Sequence, residues 1–141
     1  MRYWDSSALV PLIIPEASSH SAERLVDQDT DIAMWWGARV ECASAVRRQI
    51  RDRTLAPALA VVASASIERL ASQAREIPPS EHLRRLACEL VDRHPLRAAD
   101  ALQLAAAVTA RTAAAEPIDF VCLDQRLRLA AATEGFAVLP A

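Results

Sequence analysis

The stretch from Ile118 to Leu139, IDFVCLDQRLRLAAATEGFAVL, sets out a strand, a helix and a strand in succession. Ile118 to Leu123 is the clearest strand of the chain, an apolar run broken only by Asp119. Asp124 ends that run and opens a helix to about Glu134, with Gly135 as the residue just past its end, where a left-handed backbone suits glycine. Phe136 to Leu139 then supplies a last short strand.

The same alternation recurs upstream. Met1 to Asp5 predicts a short buried strand, passing through Ser6 and Ser7 into an apolar turn from Ala8 to Ile14 that Pro15 stops. Ser18 to Asp29 predicts an amphipathic helix with Ala22, Leu25 and Val26 inward; Asp31 to Trp35 predicts a second strand and Trp36 to Arg53 a long helix. Pro57 suits a first helical position and opens a helix to about Arg75, with Leu59, Val62, Ala63, Ile67 and Leu70 inward. Glu76 to Pro78 predicts a very short edge strand, since proline is tolerated there. Ser80 caps a helix that ends near His94 and Pro95, and Arg97 to Thr112 is an alanine-rich buried helix with Leu102, Leu104 and Val108. Strands alternating with helices predict an α/β fold of three layers, α/β/α, around a central parallel sheet of about five strands joined by right-handed crossovers.

A chain of 141 residues, 52% of them hydrophobic, suffices for one domain over 1–141 and is short for two. The net charge of −2 provides no general attraction to nucleic acid, so any such contact must come from a local patch. All 16 basic residues are arginine, which excludes chemistry that needs a lysine Schiff base or a phosphate-binding ammonium. Cys42, Cys88 and Cys122 are widely spaced, so neither a disulfide framework nor a thiolate zinc site is indicated, and a reducing, cytoplasmic setting fits. The amino terminus lacks signal-peptide character and no run of 18 apolar residues occurs, so a soluble, unprocessed protein without a membrane segment is expected.

Four acids fall at strand ends or helix beginnings: Asp5, Glu41, Asp100 and Asp124. In an open α/β sheet the carboxyl ends of parallel strands line one edge, where ligands bind. Carboxylates gathered there repel one another unless a cation neutralises them, and oxygen-only ligands suit Mg²⁺ or Mn²⁺. Each acid also has an ordinary reading. Asp124 can cap its helix and pair with Arg128; Asp100 can complement the positive end of its helix beside Arg97. Glu41 has only Gly37, Ala38, Ser44 and Ala45 as helical neighbours, with no basic partner on that face. Asp5 closes a strand among Tyr3, Trp4, Ala8 and Leu9, where a carboxylate without compensation is costly.

Asp119 lies about 16 Å from Asp124 at roughly 3.3 Å per residue, so it should face the opposite edge. His20, His82 and His94 share no metal-ligand spacing. Trp4, Trp35 and Trp36 read as core. The cluster Arg47, Arg48, Arg51 and Arg53 is either a solvated helix end or a rail for phosphates.

Four segments together resemble the PIN domain, specifically the VapC-type toxins of bacterial toxin–antitoxin pairs: Tyr3 to Leu9 (YWDSSAL), Glu41 on the third helix, His94 to Ala105 (HPLRAADALQLA) and Val121 to Leu127 (VCLDQRL). The resemblance covers the whole chain. It implies a five-stranded parallel sheet between helices, Asp5, Glu41, Asp100 and Asp124 as the catalytic, metal-binding set for Mg²⁺ or Mn²⁺, and Ser7 as the polar residue that orients Asp5. It also implies endonucleolytic cleavage of RNA, with Arg47, Arg48 and Arg51 available to its backbone. The implied partner is a small VapB-like antitoxin that covers the acidic cleft and represses its own operon, and the implied assembly is a homodimer. Cys122 departs from the family, which often has threonine two residues before the last aspartate; the lost hydroxyl is expected to loosen the positioning of the acids.

Receiver domains and haloacid-dehalogenase-like phosphatases also place an aspartate after the first strand, but both rely on a lysine, and the phosphatase motif needs a second aspartate where Ser7 stands. With only Gly37 and Gly135, neither a P-loop nor a Rossmann fingerprint can form. The rival from another class is a PIN-fold interaction module that binds a partner without cleaving.

Overall fold

In the computed structural model, which describes residues 1–141, the chain runs β1 (Arg2–Trp4), α1 (Ser6–Ile13), α2 (Ser19–Gln28), β2 (Ile32–Trp35), α3 (Ala38–Arg51), α4 (Leu59–Gln73), β3 (Arg75–Ile77), α5 (Glu81–Arg93), α6 (Ala98–Ala113), β4 (Asp119–Val121), α7 (Gln125–Thr133) and β5 (Val138–Leu139). The strands form one parallel sheet in the order β3-β2-β1-β4-β5. This is the three-layer α/β/α fold around a five-stranded parallel sheet that the sequence predicts.

From β1 to β3 the chain steps toward one edge of the sheet; from β3 it crosses to β4 and continues to β5 at the other. Right-handed crossovers therefore put α1 to α4 on one face and α5 to α7 on the other. The packing agrees, since α1 touches α2, α3 and α4, while α6 touches α5 and α7. The direction of winding reverses between β1 and β4, and the carboxyl ends of two such strands flank the crevice where open α/β sheets take their ligands.

Both faces of the central strands are covered, so their side chains are buried on both sides. Every residue of β2 is buried, and Tyr3 and Trp4 in β1 have no exposed surface. Tyr3 points toward the face of α6 and stacks on Phe120 in β4, with ring centroids 5.4 Å apart, as their register in the ladder requires. Along α6, Ala105, Ala106 and Ala107 are fully buried. Small side chains there let the helix backbone lie close to its neighbours, and the larger Leu104 fills space that would otherwise be a cavity.

Three sequence expectations need correction. Ala8 to Ile14 is not a turn: α1 occupies it, capped by Asp5, with Pro11 inside. Ala8, Leu9, Val10, Pro11 and Ile13 are all buried, so the segment shows no polar face from which a helical period could be read. In α4 the inward residues are Ala60, Ala63, Ile67 and Ala71, whereas Leu59 and Val62 are exposed along with Val61. An all-apolar opening to the helix leaves its phase open, and packing against α3 selects the alanines. Trp36 is 54% exposed, unlike the buried Trp4 and Trp35, because it lies beyond the end of β2. No helix is long and apolar enough to cross a membrane.

Candidate functional site

Asp5 follows β1 directly and caps α1. Its Oδ2 accepts the Ser7 backbone N–H at 2.9 Å, the Ser7 hydroxyl, and the Cys122 thiol at 3.6 Å. All of these bonds fall on Oδ2, which leaves Oδ1 free. The Ser7 hydroxyl oxygen in turn accepts the Leu123 N–H at 2.9 Å, and the Asp5 N–H donates to the Val121 carbonyl at 2.9 Å. The segments leaving β1 and β4 are thereby stitched together at the switch point. Cys122 is fully buried beside this joint, 3.7 Å from the Ser7 hydroxyl. Burial, and then the charge of Asp5, push its thiol well up, so it stays protonated and able to donate.

Glu41 stands in the first turn of α3. Its Oε2 accepts the Ser6 hydroxyl at 2.7 Å and the Gln103 amide Nε2 at 3.0 Å, while Oε1 has no hydrogen bond. Gln103 is fully buried in α6, and its Oε1 accepts the Tyr3 hydroxyl at 2.7 Å. No ion pair involves Glu41, in line with its lack of basic neighbours. The carboxylate faces a cleft between α1 and α3 of about 570 Å³, whose walls include Ser6, Ser7, Ser44 and Arg48.

Asp100 lies in the first turn of α6 and Asp124 caps α7, accepting the Leu127 N–H at 2.9 Å. Both line a second cleft of about 470 Å³ with Arg97, Leu123, Gln125 and Arg126. Arg128 does not pair with the Asp124 carboxylate: its guanidinium donates to the carbonyls of Cys122 at 2.7 Å, Leu139 at 3.2 Å and Pro140 at 2.7 Å, tying β4 to β5. Asp119 sits at the opposite, amino end of β4, 3.4 Å from the Arg2 guanidinium.

All four acids thus occupy the start of a helix at the carboxyl edge of the sheet. A helix amino terminus favours a nearby carboxylate by about 0.3–1 kcal/mol. Desolvation outweighs that benefit here. Burial raises the pKa of Asp5; burial, then the charges of Asp5 and Asp100, act on Glu41 in the same upward direction; burial and then Asp124 raise Asp100. Repulsion therefore runs as a chain from Asp5 through Glu41 and Asp100 to Asp124. As the side chains stand, no three Asp, Glu, His or Cys groups lie close enough to grip a single ion. Asp100 and Asp124 share one cleft and Glu41 lines the other, on the two sides of the switch point. The donor set suits a hard cation: it is oxygen only, and Asp5 Oδ1 and Glu41 Oε1 are free while their partner oxygens are anchored.

The arginine cluster divides. Arg48, two helical turns beyond Glu41, lines the Glu41 cleft, whereas Arg47 and Arg51 are exposed outside its wall. None of the three is in an ion pair. Sequence reasoning passed over Ser6, Tyr3 and Gln103 as parts of the site. The available signal was Gln103, one polar residue inside a run of alanine and leucine, a turn after Asp100.

No known family profile matches the sequence, and no curated protein matches it at the level of sequence. Solved structures do match its shape. VapC20 of Mycobacterium tuberculosis, a toxin that cleaves the sarcin–ricin loop, superposes with a TM-score of 0.69 at 20% identity, over 97% of both chains. FitAcB from Neisseria gonorrhoeae matches with a TM-score of 0.67 at 16% identity, over 99% of this chain and 97% of the other. A toxin–antitoxin complex from Klebsiella pneumoniae matches with 0.65 at 13% identity, over 89% of this chain and 88% of that one. The chain shares its PIN-like fold with these structures over nearly its whole length. At these identities the likeness is one of fold.

Proposed function

We propose that the protein is a Mg²⁺- or Mn²⁺-dependent endoribonuclease of the VapC-like toxin class, held inactive by a small VapB-like antitoxin. The observation that carries this reading is the pair Asp5 and Glu41, each anchored through one oxygen and free at the other, beside Asp100 and Asp124 at the switch point. The fold neighbours, one an RNA-cleaving toxin and another a toxin–antitoxin complex, support it.

Asp5, Glu41, Asp100 and Asp124 would hold the ion, and what it supplies when bound is charge neutralisation at the phosphodiester and acidification of water. The remaining chemistry belongs to the chain. Ser7 fixes the rotation of Asp5 through its hydroxyl and backbone N–H, Ser6 and Gln103 fix that of Glu41, and Arg48 presents a guanidinium to phosphate along the same cleft. Single-stranded loops, whose backbone can enter an open cleft, are the fitting substrates. An antitoxin would act by covering the acids. A homodimer working in the cytoplasm completes the proposal.

The test is cleavage of RNA by purified protein with Mn²⁺, with chelator and with an Asp100→Asn control, alongside growth after expression without a partner gene. The alternative, a non-catalytic PIN-fold interaction module, draws on the side chains as they stand, of which no three acids lie close enough to grip one ion. Folded protein that leaves RNA intact in Mn²⁺ and is harmless in abundance would favour that alternative.

A further inference from the structure

Gln103 is the one fully buried polar side chain in α6, and a buried amide is costly unless both of its ends are paired. Here both are. A carboxylate without a proton can only accept, so the Glu41 Oε2 atom, 3.0 Å away, demands the amide nitrogen and sets which way the amide lies. The Gln103 Oε1 atom then needs a donor, and the Tyr3 hydroxyl supplies it at 2.7 Å. Tyr3 itself cannot swing away, because its ring is stacked on Phe120 and has no exposed surface. Ser6 holds the same Glu41 oxygen from α1 at 2.7 Å. Glu41 is therefore gripped from both faces of the sheet, by α1 on one and α6 on the other, above the end of β1. Gln103 lies three residues after Asp100, about 4.5 Å along the same helix axis, so the amide also sets how far Asp100 stands from Glu41.

We infer that Gln103, locked by Tyr3, is a positioning residue that aims the free oxygen of Glu41 at a divalent cation and ties it to the helix that carries Asp100. This rests on the metal reading of the site. Neither Tyr3 nor Gln103 is placed among the metal ligands; both act through Glu41.

The experiment is calorimetric titration of the full chain with Mn²⁺ alone, together with melting of the metal-free protein. Tyr3→Phe keeps the ring and its stacking, and Gln103→Leu keeps approximate volume. Loss of an outer partner of a metal ligand typically weakens affinity by about 10–100-fold, so Gln103→Leu should weaken Mn²⁺ binding at least tenfold. Tyr3→Phe should weaken it severalfold. Ile67→Val, which trims the core beneath α4, a helix that carries none of these residues, should lower the metal-free melting temperature and leave Mn²⁺ affinity unchanged. Should Gln103→Leu not fold, Tyr3→Phe decides the matter. Wild-type protein that binds Mn²⁺ with the same affinity as both variants would overturn the positioning role alone, as would an equal loss in Ile67→Val, which would mark the effect as general loosening. Wild-type protein that binds no Mn²⁺ would overturn the metal reading, and this role with it.

Discussion

The Ser7 hydroxyl oxygen accepts the Leu123 N–H at 2.9 Å while its proton goes to Asp5, so one side chain orients the first carboxylate and fastens the exit of β4. The two segments it joins are 116 residues apart in sequence. Orientation of Asp5 and closure of the switch point are thus mechanically the same event.

Ser7→Ala should therefore cost stability as well as geometry. It removes the Asp5 contact and leaves the part-buried Leu123 N–H without its acceptor, for a loss of about 1–3 kcal/mol. Denaturant unfolding monitored by circular dichroism measures this. A change within about 0.3 kcal/mol of wild type would show that water replaces the hydroxyl and that the joint is not needed for the fold.

Asp124 and Asp119 provide an internal contrast, because they bound the same strand at opposite edges of the sheet. Asp124→Asn should lower single-turnover RNA cleavage at saturating Mn²⁺ by at least tenfold, or about 1.4 kcal/mol of transition-state stabilisation. Asp119→Asn should stay within about twofold, since it loses only a partly exposed pairing with Arg2 worth about 0–1 kcal/mol. Equal losses at the two positions would mean that the active edge has been misplaced.

Metal and pH should act against each other. Asp5, Glu41 and Asp100 have pKa values raised above the ordinary unfolded range of about 3.9–4.3, so the metal-free fold binds protons more tightly than the unfolded chain. Their contribution is favourable at acid pH and is lost as pH rises through the raised folded values. A cation bound by the ionised acids offsets that loss. Mn²⁺ at a hundredfold excess over Kd should stabilise by about 2.7 kcal/mol, and protons should compete that effect away in acid. The Mn²⁺-induced rise in melting temperature should accordingly be larger near about pH 7.5 than near about pH 5. A melting temperature indifferent to millimolar Mn²⁺ at both would count heavily against a shared metal centre.

Arg48 and Arg47 should separate in their contact with RNA. Arg48 lines the Glu41 cleft and Arg47 does not. Arg48→Ala should weaken binding of single-stranded RNA and flatten the slope of log K against log salt by about 0.7, the value for one lost phosphate contact, with Mn²⁺ affinity unchanged. Arg47→Ala should alter the slope less. Identical slopes for wild type and Arg48→Ala would return the whole cluster to the role of a solvated helix end.

Much of this molecule is legible along the chain, because the signals are local. The run from Ile118 to Leu123, the Ser80 cap and Gly135 with its positive φ each announce an element within a few residues. The same local logic separates Asp124 from Asp119, since a strand has two ends and successive residues advance it by a known length. The phase of a uniformly apolar helix is not local, which is why α1 reads as a turn and why the inner face of α4 is assigned to Leu59 and Val62 and not to Ala60 and Ala71. Nor are the partners of the acids. Tyr3 meets Gln103 across 100 residues and Gln103 meets Glu41 across 62, and those contacts exist only because β1 lies between β2 and β4, with α3 and α6 on opposite faces. Sequence alone determined which side chains carry charge and, α1 apart, where most of the elements fall. Tertiary structure decided which oxygen of each acid is held and which is free, because a hydrogen bond needs two groups within about 3 Å, and it is chain topology that brings them there.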